Sequence, residues 1–198
     1  MSAARSRRLA PEERRQQLVK IGLELLAEHP LDALSTDEVA RRAGISRGLL
    51  FHYFASKRDY HQAVVRTACN ELLDRTTPPP GADAQASLHA MTSGFVDYVR
   101  EHRQLYVTLV RGASAGDPAV QEVVDETRRE LAGRVLEFHR HTGHPAPPRL
   151  ALTARAWTAF AEEAVVSWPA DEPDEPGARE ELLDYLESHL LKLIGPPD

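Results

Sequence analysis

The 198-residue chain carries a single cysteine, Cys69, which excludes an internal disulfide framework and suits a reducing compartment. Cys69 is expected on a helix, either as a buried, idle thiol or as a lone redox sensor. No apolar run approaches the roughly 20 residues of a membrane span, and the N terminus does not resemble a signal peptide. The chain is therefore expected in the cytoplasm, without a membrane partner. A glycine-rich phosphate loop, a nucleophile elbow and a His-Glu-x-x-His motif are all missing, so neither an enzyme nor a cofactor is expected. Strand-like alternation is missing too, and the chain reads as all-α.

Positive charge is also short, with a net charge of −6. It is unevenly spread. Residues 1–60 hold 11 lysines and arginines against 8 acids, whereas the rest holds 13 against 22. Attraction to phosphate depends on local charge, so a cationic head can sit on an acidic body. Arg5, Arg7 and Arg8 make residues 1–10 a flexible basic arm, which either enters a minor groove or remains a solvated tail.

The helical pattern begins at Pro11 or Glu12 and runs to Glu28, burying Leu18, Ile21, Leu25 and Leu26 before His29-Pro30 ends it. Ser35 or Thr36 caps a second helix, with Val39, Ala40 and Ala43 as its inner stripe. Gly44 fits a left-handed C-cap. Ser46 then caps a third helix from about Arg47 to Phe54, anchored by Leu50 and Phe54. Arg47, Gly48, Leu49, His52 and Tyr53 are left to face outward. A short helix of this kind suits the DNA major groove. A fourth helix runs from near Ser56 to Arg75. The breaker at residues 76–81 marks the clearest boundary in the chain. Further helices are expected at about 84–101, 103–113, 117–142, 149–168 and 178–194. Asp117-Pro118 starts the third of these, and proline-rich breaks fall at 144–148 and 169–177.

Residues 12–65 resemble the DNA-binding domain of the TetR family of transcriptional regulators. Ala43-Gly44-Ile45-Ser46, Gly48-Leu49-Leu50-Phe51-His52-Tyr53-Phe54 and Ser56-Lys57 carry the resemblance. Phe51 departs from it, standing where the family usually has tyrosine; any contact it makes with DNA would be apolar. The resemblance implies a helix-turn-helix domain at 11–57, joined by the fourth helix to an effector-binding and dimerisation domain at 58–198. Double-stranded operator DNA, a small-molecule effector and a second copy of the chain are the implied partners. DNA contact is expected from Thr36, Arg47, Gly48, Leu49, His52, Tyr53 and Lys57. Arg47 and His52 are assigned to bases, and Thr36, Tyr53 and Lys57 to phosphate.

The last two helices are the implied dimer pair, through Leu152, Ala159, Val166, Leu183, Leu186 and Leu190; a monomer with a large core is the alternative. The aromatics of the second domain, Phe95, Tyr98, Tyr106, Phe138, Trp157 and Phe160, with His102, either line a ligand pocket or form ordinary core. His102, Arg103, Arg111 and Glu163 are the polar residues to follow. Glu162 or Glu163 either neutralises a cationic ligand or is a solvated or dimer-rim charge. His139, His141 and His144 cluster without a cysteine or spaced carboxylate, so a surface cluster is expected and not a metal site. The function implied is a sequence-specific regulator, a repressor released by ligand. The competing class is an all-α ligand-binding or adaptor protein whose helix-turn-helix serves only packing.

Overall fold

The computed structural model describes residues 9–29, 31–113, 118–168 and 177–195. Among them there are nine α-helices and no strand. These are α1 (Pro11–Leu26), α2 (Thr36–Ala43), α3 (Arg47–Tyr53), α4 (Lys57–Arg75), α5 (Ala84–Glu101), α6 (Arg103–Ala113), α7 (Pro118–Thr142), α8 (Leu150–Ser167) and α9 (Ala178–Ile194). A 3₁₀ turn at Leu31–Ala33 joins α1 to α2. The arginines expected in the N-terminal arm, Asp117 and residues 169–176 lie outside the described residues.

Local chemistry sets four of the helix starts. Ser35, Ser46 and Ser56 accept hydrogen bonds from the backbone N–H groups of Glu38, Leu49 and Asp59, and Asp83 does the same for Ala86. Each satisfies a donor that the first turn leaves without a partner. Gly44 ends α2 at φ 66°, where Ile45 N–H reaches back to Ala40 and Gly44 N–H to Arg41. A β-carbon is costly in that conformation, so glycine terminates the helix sharply. Helix α1 stops at Leu26, before the expected Glu28, and Phe54 is already extended beyond α3.

Two apolar cores follow. The first gathers Leu18, Leu26, Val39, Leu50, Phe54, Tyr60 and Val64 beneath the helix-turn-helix, and is completed by Leu105, Leu109, Val120, Val123 and Val124 from α6 and α7. The second holds Leu72 with the inner faces of α5, α7, α8 and α9. Helices α4 and α7 pass through both cores. Helix α1 lies so close to α4 that a β-carbon on Gly22 would stand 2.5 Å from the Tyr60 hydroxyl and 2.6 Å from a Val64 methyl. That hydroxyl donates to the Leu18 carbonyl at 2.8 Å. Gly22→Ala is therefore expected to overpack the seam and cost about 1–3 kcal/mol. An unchanged urea midpoint would rule this out.

One ion pair and one side-chain hydrogen bond hold the second core's rim. Arg179 at the start of α9 grips Asp97 of α5 through two 2.7 Å contacts, which hold the Asp97 carboxyl below its usual range. On α5, Thr92 donates to Glu187 of α9 at 2.6 Å.

Candidate nucleic-acid interface

The seven residues of α3 give a helix about 10 Å long at 1.5 Å per residue. Leu50 and Phe54 anchor it in the first core, leaving Arg47, Gly48, Leu49 and His52 exposed. Leu49 is 39% exposed, an unusual position for a leucine unless something covers it. A β-carbon on Gly48 would meet only Ser46 Oγ, at 4.0 Å, so nothing in the chain requires glycine there. Tyr53 is half-buried, its ring edge-on to His52 and packed against the core.

The electrostatics of this face depend on which cations are already paired. Glu38 takes hydrogen bonds from Arg41 and Arg42, which hold its carboxyl down to about 2. Arg42 also pairs with Glu28 at 3.4 Å, so both arginines already have carboxylate partners. Arg47 reaches across the turn to Asp37 at 3.2 Å and lies over the Phe51 ring at 5.5 Å. Lys57 and Arg58, at the start of α4, are exposed beside α3.

One expectation needs correction here. Thr36 is only 4% exposed and cannot offer its side chain to phosphate. It falls on the same helical stripe as Val39 and Ala40, which turns it inward, and Ser35 is the exposed capping hydroxyl. Phe51 is half-buried, its ring packed on the first core beneath Arg47, so it is a support for an arginine more than an outward contact. Asp37 lies in the first turn of α2, two positions after the Ser35 cap. Its pairing with Arg47 spans ten positions, and no local spacing signals it.

The aromatics of the second domain do not converge on one chamber. Phe95 and Trp157 line a void of about 30 Å³ together with Met91, Leu131 and Leu186. Tyr98 and Tyr106 line a second void of about 30 Å³, with Cys69, Leu72, Leu131 and Glu162. Phe138 belongs to an open groove of about 300 Å³ beside the Pro78–Pro79 turn. His102 packs on Tyr98 at 4.9 Å between ring centres and lines neither void. Phe160 lies at the surface of α8 with Tyr185 and His189, at 5.6 and 5.7 Å. Glu162 is neither solvated nor unpaired. Arg128 grips it from α7 at 3.0 and 3.1 Å, and the Tyr106 hydroxyl donates to it at 3.0 Å. Burial, with Glu162 beside it, pushes the Tyr106 hydroxyl well above its ordinary value. Arg103 donates to the Val166 carbonyl, and Glu163 accepts from Ser167; the Arg111 side chain lies outside what is described. Cys69 is buried, and burial pushes its thiol up.

The implied dimer residues divide sharply. Leu152 and Ala159 are exposed on α8 and Val166 is half-exposed. Leu183, Leu186 and Leu190, by contrast, are buried in the protein's own second core and cannot meet a partner. The α5–α9 contacts rotate them inward. They leave Tyr185, Leu191 and Leu193 outside, at 42%, 48% and 54% exposure. The histidines do not gather. His139 is buried with no hydrogen-bond partner for Nε2, His141 contacts its own helix's Glu137 carbonyl, and His144 is exposed. No group of three or more metal-ligating side chains stands together among the described residues. Nor is any described helix long and apolar enough to cross a membrane.

Comparison with known proteins follows the same division of the chain. Residues 18–64 match the family described as "Bacterial regulatory proteins, tetR family", and residues 84–193 match "Tetracyclin repressor-like, C-terminal domain". The HTH-type transcriptional activator FasR of Mycolicibacterium smegmatis is 30% identical over 170 residues, covering 83% of this chain and 76% of that protein. The HTH-type transcriptional regulator BetI of Escherichia coli is 31% identical over 134 residues, covering 64% of this chain and 69% of its own. A tetR-family transcriptional regulator from Streptomyces coelicolor superposes with a TM-score of 0.78 at 33% identity. The match covers 93% of this chain and 82% of the other.

Proposed function

The chain belongs to the TetR family of DNA-binding transcriptional regulators, and on that premise we propose that it is a repressor which binds a pseudo-palindromic operator as a homodimer and is released by a small molecule. The observation that carries the DNA part of this reading is the outer face of α3. A glycine weakens so short a helix by about 1 kcal/mol, and Gly48 has open space around it. A backbone that must come close to a partner accounts for that cost. An exposed Leu49 beside Arg47 and His52 suits thymine methyls and base edges in the major groove. Arg47 and His52 are assigned to bases, and Lys57 and the Tyr53 hydroxyl to phosphate.

A gel-shift titration against the DNA flanking the chain's own gene, with a scrambled duplex beside it, tests the assignment. Equal affinity for both would defeat it. Lys57→Ala should weaken both duplexes alike and lower the slope of log K against log salt by about one. An unchanged slope would remove Lys57 from the phosphate contacts. A relative named as an activator keeps activation as the second reading. Fusing the flanking promoter to a reporter separates the two by the sign of the change when the regulator is deleted.

The dimer is proposed through the outer faces of α8 and α9. Leu152, Ala156 and Ala159 line up on α8, where the alanines permit close helix approach, and the Phe160–Tyr185–His189 cluster continues the surface onto α9. Two recognition helices related by a two-fold axis would then sit about 34–36 Å apart, one duplex turn. Leu152→Asp combined with Ala159→Asp is expected to halve the mass seen by light scattering while the helical circular dichroism stays. A dimer that survives both charges would place the interface elsewhere.

A further inference from the structure

We propose that the effector is an elongated, single-chain aliphatic amphiphile, threaded from the groove beside the Pro78–Pro79 turn past Met91 and Leu131 toward Tyr106. This rests on the ligand-responsive reading above and names the ligand's chemical class. Three cavities among the described residues of the second domain stand in series. Met91 walls both the outer groove and the first void, and Leu131 walls both the first void and the second. Phe95 and Tyr106 meet edge to face at 5.8 Å alongside that second step. Polar side chains occur at the two ends of the path. Arg134, Glu137 and His141 line the outer groove, and the Tyr106–Glu162–Arg128 cluster closes the inner void.

The middle of the path offers a ligand's acceptor groups no free donor. Its hydroxyls already have their single protons engaged: Thr76 and Thr158 donate to the carbonyls of Leu72 and Ala154 within their own helices, and Thr92 donates to Glu187. A hydrogen-bond acceptor placed there would lose its water without gaining a donor. Each void holds about 30 Å³, room for roughly one water. A compact ligand would have to spread several helices apart. A slender chain need displace only Met91, which is unbranched and adapts readily, and Leu131. Its polar head stays in the groove. Its far end presses on Ala68, Cys69 and Leu72 of α4, and on Leu109 and Val124, which belong to the core under the helix-turn-helix.

The test uses the full chain carrying Trp168→Phe, which leaves Trp157 as the only tryptophan, in the wall of the first void. Saturated carboxylates from hexanoate to dodecanoate are titrated below their micelle concentrations. A dodecanoate brominated at mid-chain serves as the quencher, and adamantane carboxylate as the compact control. Affinity is expected to rise about fourfold per added methylene. The brominated chain should quench Trp157, and the compact acid should bind no better than hexanoate. Leu131→Phe should weaken dodecanoate at least tenfold and leave hexanoate unchanged. A flat length series, equal binding of the compact acid, or dodecanoate binding that survives Leu131→Phe would overturn the proposal. Should that variant lose its helical circular dichroism, the length series and the compact control decide alone. Operator release by some other molecule, with no chain bound, defeats this inference only. A bound chain that leaves the operator occupied defeats release by this ligand while the threaded site stands.

Discussion

Replacing Trp157 with alanine is expected to remove about 3–5 kcal/mol of stability. That is a large part of the 5–15 kcal/mol typical of a domain. The indole is 5% exposed between α8 and α9, and its Nε1 donates to the Leu186 carbonyl at 3.2 Å. Truncation removes that hydrogen bond and enlarges the void that Trp157 lines with Phe95 and Leu131. The surrounding helices are held at α5–α9 by Arg179–Asp97 and Thr92–Glu187, so they cannot collapse freely into the space. Trp157→Phe retains most of the ring and should lose less. Urea unfolding at one fixed protein concentration gives the answer, since dimer formation makes stability concentration-dependent. A loss below about 1 kcal/mol would mean that the site repacks, and the rigid-rim argument would then be wrong.

Arg47→Ala is expected to cut the preference for operator over scrambled duplex by about 5- to 150-fold, the equivalent of one lost base contact worth 1–3 kcal/mol. Folding should hardly change. Arg47 and Asp37 are 61% and 65% exposed, and such pairs contribute about 0–1 kcal/mol. The variant also leaves the Asp37 carboxylate unneutralised on the face where phosphates must approach. Asp37→Ala is therefore expected to act in the opposite sense. It frees Arg47, removes a repulsive charge and strengthens binding to both duplexes. Competition titrations with the two duplexes at one salt concentration measure both variants. An operator preference that Arg47→Ala leaves intact would take Arg47 off the base edges.

What the sequence reveals here is mostly what is local. Ser35, Ser46, Ser56 and Gly44 act within one turn of their own positions, so their roles can be read without the fold. Thr36 lies one turn before Ala40, so the helical period alone turns it inward, although its hydroxyl also suits a cap. The leucines of α9 were not legible. Leu182, Leu183, Leu186, Leu190, Leu191 and Leu193 cover so wide an arc that either side could face the core. The choice is made by α5, through partners 82 and 95 positions away. The Arg128–Glu162 pair, 34 positions apart and joining two helices, is hidden for the same reason.

The first core has a consequence for modularity. Five of its buried side chains, Leu105, Leu109, Val120, Val123 and Val124, come from beyond the proline-rich turn that looks like a natural place to cut. A fragment ending at that turn would bare the parts of α1, α4 and the 3₁₀ turn that α6 and α7 cover. The DNA reader is therefore not a detachable part. In grafting between relatives, the transplantable piece is the helix-turn-helix together with the matching ends of α6 and α7. A chimera joined at the turn inherits a mismatched joint where its two halves should communicate.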